Sequence, residues 1–328
     1  MTENTIRLVA DVGGTNIRLG LCQPGDQFQG ISDIQKISCA DFNSLAEALQ
    51  CYLSSQNLPL PQQASIAVAG PVQNDTVKLT NLPWQFSQRE LEKHLKLDKL
   101  VVINDFEAIA LAIPHLNKTD YTSIGGGTAV ANTPITALGA GTGLGVAILT
   151  SSSHTKLDNS PGTSYQAFST EGGHTTIAPA NEVEQAIFNH FAAQGHYLSR
   201  EFFLSGRGLQ NIYSALAAIR GVTAHSLQPA DIQVRASEST DPICEQALEI
   251  FCGLFGSACG DQALATGARG GVYIAGGMVK KFLPFFKASS FRERFENKGP
   301  MRHYVEAIST NVITREHAAL LGAASAVF

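Results

Sequence analysis

The sequence predicts an α/β protein built in two units, and three observations carry that expectation. Strand-like apolar segments alternate with amphipathic helical stretches through the first third of the chain, the order of an α/β layer and not of a bundle or a sandwich. An apolar strand, a glycine turn and a second apolar strand occur together twice, at residues 5–22 and again at residues 135–150. The 328 residues exceed one ordinary domain, and 44% apolar content is enough for two cores.

Element by element, the chain opens with a strand at 5–10, a turn at Gly13 and Gly14, and a strand at 17–22, followed by a β-rich stretch at 31–37. Ser44 with Glu47 forms an S-x-x-E capping box, which satisfies orphan amides at a helix start; the helix it opens has Leu45, Ala48, Leu49, Tyr52 and Leu53 on one face. A strand at 65–69 stops at Gly70-Pro71. A second box, Ser87 with Glu90, opens the helix of Leu91 and Leu95, and the apolar run 100–103 ends in Asn104-Asp105 before a helical run at 106–113. The second strand–turn–strand unit carries Gly139-Ala140-Gly141-Thr142-Gly143 between its apolar segments. This echo of the beginning suggests two lobes of related architecture. The polar stretch 151–169 reads as a surface loop, followed by helices around 182–193, 208–219 and 243–265, a buried strand at 271–275 and a last helix at 317–327.

Composition excludes several classes of function. The formal net charge is -5, with 23 Lys and Arg scattered singly, so no basic stripe follows a nucleic-acid backbone. No apolar run approaches the length that spans a bilayer, and residues 1–4 form a short polar tail without a basic-then-apolar leader, so a cytoplasmic protein away from membranes is expected. Cys22, Cys39, Cys51, Cys244, Cys252 and Cys259 contain no C-x-x-C pair and no Cys/His cluster, and they read as reduced core residues.

Nucleotide phosphates need backbone N–H groups aimed at them, and glycine turns between strands offer such donors because no Cβ blocks the approach. Two turns qualify: Asp11-Val12-Gly13-Gly14-Thr15-Asn16, and Gly139-Ala140-Gly141-Thr142-Gly143-Leu144-Gly145. Each alone is more often only a hairpin turn. No G-x-x-x-x-G-K-[ST] occurs, and the glycines lie between strands where a Rossmann fingerprint would open a helix. Asp11 is the natural carboxylate for Mg²⁺, held through water, or else an Asp starting a turn. Asp105 closes a strand at its carboxyl end, where open α/β sheets place functional groups; on position alone a helix N-cap is the plainer reading. Glu171-Gly172-Gly173-His174 is on the same footing either a solvated turn or a site.

The ordered set of these motifs, with Asn104-Asp105-Phe106, Leu204-Ser205-Gly206 and Ile274-Ala275-Gly276-Gly277, resembles the bacterial glucokinase family over nearly the whole chain. The resemblance implies the hexokinase and actin-like ATPase superfamily, in which two lobes with ribonuclease-H-like cores flank a nucleotide and sugar cleft. It implies ATP-dependent phosphorylation of glucose at the 6-hydroxyl, the first step of glycolysis, with Asp105 as the base. Asn104, Glu171, His174 and Glu201 would hold the sugar. Asp11, Gly13, Gly14, Thr15, Asn16, Gly141, Thr142 and Gly143 would hold the phosphates and Mg²⁺, with Ser205, Gly206, Gly276 and Gly277 near the nucleoside. The family returns its last helix to the first lobe, so the expected domains are 1–114 plus 315–328, and 115–314. A homodimer is a further family expectation.

Acceptor-only carboxylates suit sugar hydroxyls, and Asn104 and His174 can donate or accept. The related repressor-type sugar kinases follow E-x-G-H with a Cys-rich zinc motif, which is missing here, so His174 is expected to bind sugar and not zinc. The first glycine turn is preceded by Ala10 where relatives often have Gly. The alternatives are a kinase for another hexose, such as fructose, mannose or N-acetylglucosamine, and a non-catalytic actin-like ATPase or sugar-responsive regulator. No helix-turn-helix precedes Thr5 to support a regulator.

Overall fold

The computed structural model describes residues 5–23, 30–55, 60–72, 74–80, 82–155 and 161–326; the expected tail at 1–4 and position 327 of the expected last helix lie outside them. The chain divides into two compact units, Met1–Asn117 with Arg315–Phe328, and Lys118–Thr314. Among the described residues no helix is long and apolar enough to cross a membrane.

The first unit is built on a five-stranded sheet. Its strands are β1 (Arg7–Val12), β2 (Asn16–Cys22), β3 (Ser32–Ser38), β4 (Gln63–Val68) and β7 (Lys99–Asn104), in the order β3-β2-β1-β4-β7. Between β4 and β7 in sequence, β5 (Thr76–Lys78) and β6 (Gln85–Ser87) form a separate two-stranded ribbon. β1 pairs antiparallel with β2 and parallel with β4, and β4 pairs parallel with β7. The parallel strands are apolar on both faces, as a sheet covered on both sides requires. Helices α1 (Leu45–Ser55) and α2 (Gln88–His94) start where the capping boxes place them. The Glu47 and Glu90 amides are satisfied by the Ser44 and Ser87 hydroxyls. Glu47 turns its own carboxylate back to the Asn43 amide, one residue further out than a reciprocal box.

α3 (Asp105–Ala112) and the terminal helix (Ala318–Ser325) cover the other face, with Val9, Ala67, Ile103, Ala108 and Leu320 in the layer between. The terminal helix lies against α3 at very short range, since a Cβ on Gly322 would sit 1.6 Å from the Ala108 carbonyl oxygen. The buried Arg7 guanidinium donates to the carbonyls of Ala324 and Ala326, tying the helix end back to the first strand.

The second unit repeats the plan. β9 (Ile135–Ala140), β10 (Leu144–Thr155), β11 (Pro161–Thr170), β12 (Val272–Ala275), β13 (Thr310–Ile313) and β8 (Tyr121–Gly125) form a sheet ordered β11-β10-β9-β12-β13-β8. Its first five strands have the same neighbours and the same directions as the sheet of the first unit, with β8 added antiparallel at the far edge. The expected surface loop at 151–169 is instead the paired arms of β10 and β11, with residues 156–160 outside the description. Most of β11 is exposed, so no hydrophobic alternation marks it; its hydrogen bonds come from the neighbouring backbone whatever the side chains are.

Helices α4 (Glu182–Ala192), α5 (Arg200–Phe203), α6 (Gly206–Ile219), α7 (Pro229–Ser237), α8 (Pro242–Thr266), α9 (Leu283–Ala288), α10 (Phe291–Glu296) and α11 (Arg302–Glu306) complete the unit. Phe251, Phe255, Phe286 and Phe291 pack edge-on or tilted between α8, α9 and α10, the ring orientations that aromatic quadrupoles favour. Glu184, 1% exposed, takes both nitrogens of Arg294 and also accepts from Ala180 and Asn181, so its charge is fully matched. Cys39, Cys244, Cys252 and Cys259 are buried, Cys22 is half-buried, and Cys51 departs from the expected core placement by being exposed.

Two substitutions test this packing. Gly322→Ala, by forcing a methyl into the α3 backbone, is expected to cost about 1–3 kcal/mol or more in urea unfolding. Arg294→Met strands the buried Glu184 carboxylate and is expected to lower stability by about 3–5 kcal/mol.

Candidate active site

In the first unit, the functional candidates gather at the carboxyl ends of the parallel strands. Asp11 on β1, Ala67 on β4 and Ile103 on β7 stand in one register, one step before the strands end. The hairpin turn from Gly13 to Asn16 then sets Asp11 opposite Arg18, whose Nη1 lies 3.1 Å from Asp11 Oδ2. Gly13 and Asn16 close the turn with a backbone bond, while the amides of Gly14 and Thr15 at its tip reach no protein acceptor among the described residues. Arg18 was not singled out from the sequence. The register of a tight hairpin would have found it, since Val12 opposite Ile17 forces Asp11 opposite Arg18.

Asn104 takes the capping role that position alone allows Asp105. Its Oδ1 accepts from the amides of Phe106 and Glu107, and its Nδ2 donates to the Gly70 carbonyl. Asp105 is therefore the first residue inside α3, with Oδ1 accepting the Phe106 amide. Burial, and then the neighbouring charge of Asp11, push the Asp105 carboxyl up to about 6. Burial also raises Asp11, against the opposing pull of Arg18 and a smaller one from His317. His317 opens the terminal helix with φ at 57°, and its Nδ1 is buried with no hydrogen-bond partner among the described residues. Nothing in the sequence marks that residue beyond its place before an apolar helix.

In the second unit, Glu171, His174 and Glu201 converge. His174 Nδ1 is 3.4 Å from Glu171 Oε2, and its Nε2 is 3.8 Å from Glu201 Oε1. The Glu171–His174 segment is a single 3-10 turn, and the half-buried Glu201 lies in α5 behind the Ser199 cap. Tyr197, largely exposed, donates its hydroxyl to the His174 carbonyl, a neighbour the motif reading missed. The second glycine turn joins this group directly: Leu144 N–H donates to Glu201 Oε2 at 2.8 Å, and Gly206 N–H donates to the Gly141 carbonyl at 2.8 Å. Thr142 and Gly143 leave their amides without a protein acceptor among the described residues. Ser205 caps α6 through the Gly208 amide, so its hydroxyl is committed to the fold. Gly276 has φ at 89° beside Ala140, and a Cβ at Gly141 or Gly277 would meet nothing within 4 Å. Asp11, Gly13, Gly14, Thr15, Asn16, Asn104 and Asp105 thus form one group in the first unit. Gly141, Thr142, Gly143, Glu171, His174, Glu201, Ser205, Gly206, Gly276 and Gly277 belong to the second.

The fit to phosphate and to Mg²⁺ follows from the donor set. Both turns present free amides, and the space over Gly141 and Gly277 is open. No group of three or more His, Cys, Asp or Glu among the described residues could hold a metal by itself. A lone carboxylate such as Asp11 suits a magnesium ion that keeps most of its water and takes its other ligands from phosphate.

The glucokinase family model matches residues 8–328. A protein from Colwellia psychrerythraea named glucokinase is 44% identical over 326 residues, covering 98% of this chain and 95% of the relative. The crystal structure of glucokinase from an Antarctic psychrotroph superposes with a TM-score of 0.85 at 35% identity, covering 98% of each chain. A glucokinase of the ROK family from Streptomyces griseus, solved with glucose and AMPPNP, shares the fold at a TM-score of 0.63 and 18% identity, covering 97% of this chain and 98% of that one. The match runs from β1 to the terminal helix and takes in both glycine turns and both acidic groups, and the chain belongs to the glucokinase family.

Proposed function

We propose that this chain transfers the γ-phosphoryl group of ATP to the 6-hydroxyl of glucose, giving glucose 6-phosphate and ADP. The observation that carries the reading is Asp105, a carboxyl at a strand end whose proton affinity is lifted to about 6, beside the acid that heads a phosphate-type turn. A base of that strength accepts the hydroxyl proton as the bond to phosphorus forms, and is ionised at neutral pH. Phosphoryl transfer asks the protein mainly for positioning and charge neutralisation.

Glu171 and Glu201 accept from sugar hydroxyls, and His174 donates or accepts between them. Asn104 has one amide hydrogen left after capping α3 and bonding Gly70, and that hydrogen is free for a sugar oxygen. The amides of Gly14, Thr15, Thr142 and Gly143 hold phosphate oxygens. Gly206, Gly276 and Gly277 border the nucleoside, and Ser205 acts by fixing the start of α6. Asp11 would hold Mg²⁺ through water, and the metal would supply neutralisation of the phosphate charge.

The direct test is ADP release from ATP with a panel of hexoses; glucose is expected to be used at least as well as any other, and no turnover with any hexose would overturn the reading. Asp105→Asn is expected to lower kcat by about 10²- to 10⁴-fold with nucleotide binding retained. In the wild type, kcat/KM is expected to fall as pH drops through about 6, where Asp105 takes up its proton.

The sign for stability is opposite. A folded-state value raised above the ordinary 3.8 makes Asp105 favour folding only below that value, and the contribution is lost as pH rises through about 6. Asp105→Asn is therefore expected to raise Tm at pH 7 and to leave it nearly unchanged at pH 4. His174→Ala is expected to raise the KM for glucose roughly 5- to 150-fold, the loss of one hydrogen bond that leaves a partner unpaired, with the KM for ATP nearly constant.

A further inference from the structure

Glu201 uses its two carboxylate oxygens for different purposes. Oε1 faces the exposed His174 at 3.8 Å, whereas Oε2 accepts the Leu144 N–H at 2.8 Å. Leu144 is the residue on which the second glycine turn ends. The contact is tight: a Cβ added to Gly143 would stand 2.5 Å from Oε2, so only glycine leaves room for the carboxylate there. Five residues beyond Glu201, the Gly206 amide holds the other end of the same turn through the Gly141 carbonyl. The segment 201–206 therefore grips the turn at both ends, and one of its two grips is a side chain of the sugar group.

We infer that Glu201 couples the two substrates: a sugar hydroxyl bonding to Oε1 fixes the carboxylate, and the carboxylate fixes the amides of Thr142 and Gly143 for phosphate. The inference rests on the kinase reading above and adds a route between its two sites. A rigid carboxylate shared by both sites makes the ordering cost of the turn fall once, on whichever substrate binds first. The second substrate then binds to a turn already set, and by linkage the effect is the same in either order.

The experiment measures glucose binding to the full chain by calorimetry, with and without a saturating magnesium complex of AMPPNP, alongside hydrogen exchange of the Leu144 amide. In the wild type the nucleotide analogue is expected to tighten glucose by about 5- to 150-fold, the usual span of coupling between sites. Saturating glucose alone is expected to slow exchange at Leu144. E201Q keeps an oxygen for Leu144 and is expected to keep most of the coupling while binding glucose more weakly. E201D, too short to reach, and G143A, which displaces the carboxylate, are each expected to cut the factor at least threefold. Coupling unchanged in either of these two, coupling lost in E201Q, or Leu144 exchange indifferent to glucose in the wild type would overturn the inference without touching the kinase reading. A wild-type chain that binds no hexose at all removes the kinase reading and the inference together.

Discussion

Parallel pairing is the constraint from which both groups of functional residues follow. Parallel neighbours are joined by crossovers, so every strand of the set ends at the same edge of the sheet, and whatever follows those strands is delivered there together. In the first unit the shared level of Val12, Val68 and Asn104 brings the turn after β1 and the start of α3 to one edge. In the second unit Gly139 on β9 is level with Ala275 on β12, so the glycine turn and Gly276 emerge side by side. The antiparallel hairpins β1–β2 and β9–β10 add a tight turn at that same edge, which is why each unit offers unbonded amides there. One topology, used twice, produces two sets of donors.

The two units treat charge differently. Burial makes both Asp11 and Asp105 hold protons more firmly than carboxyls usually do; the charge of Asp11 adds to this at Asp105, and Arg18 only partly offsets it at Asp11. Glu184 is more deeply buried, yet four nitrogens serve it and no such tension arises. A matched buried acid is a fastener; an under-matched one stores free energy that chemistry can use. The exposed Glu171 and His174 and the partly exposed Glu201 form a third kind of charge cluster, one in contact with solvent.

Much of this was legible in the sequence because its local signals agree with the final packing. Ser44 and Ser87 mark helix starts, and the repeated strand–turn–strand pattern announces the second sheet. The arm at β11 was invisible because a strand exposed on its outer side has no period to read. The exchange of roles between Asn104 and Asp105 was equally hidden. Both are good caps, and which of them caps depends on where the chain leaves β7, a matter of register that propensity does not encode. Arg18 lay within reach of hairpin geometry, whereas Tyr197 and His317 owe their places to contacts far along the chain.

The terminal helix carries a consequence for how the protein is made. Its apolar side completes the layer over β1 and α3, and Arg7 near the start of the chain closes onto carbonyls more than three hundred residues later. During synthesis the first unit emerges early but lacks one of its walls until the helix Ala318–Ser325 leaves the ribosome, while the second unit has all of its own elements before then. Asp105, the base proposed above, begins the very helix that this missing wall covers. A chain broken off before Ala318 therefore leaves the unit that carries Asp105 without the layer that covers α3, however complete the second unit is.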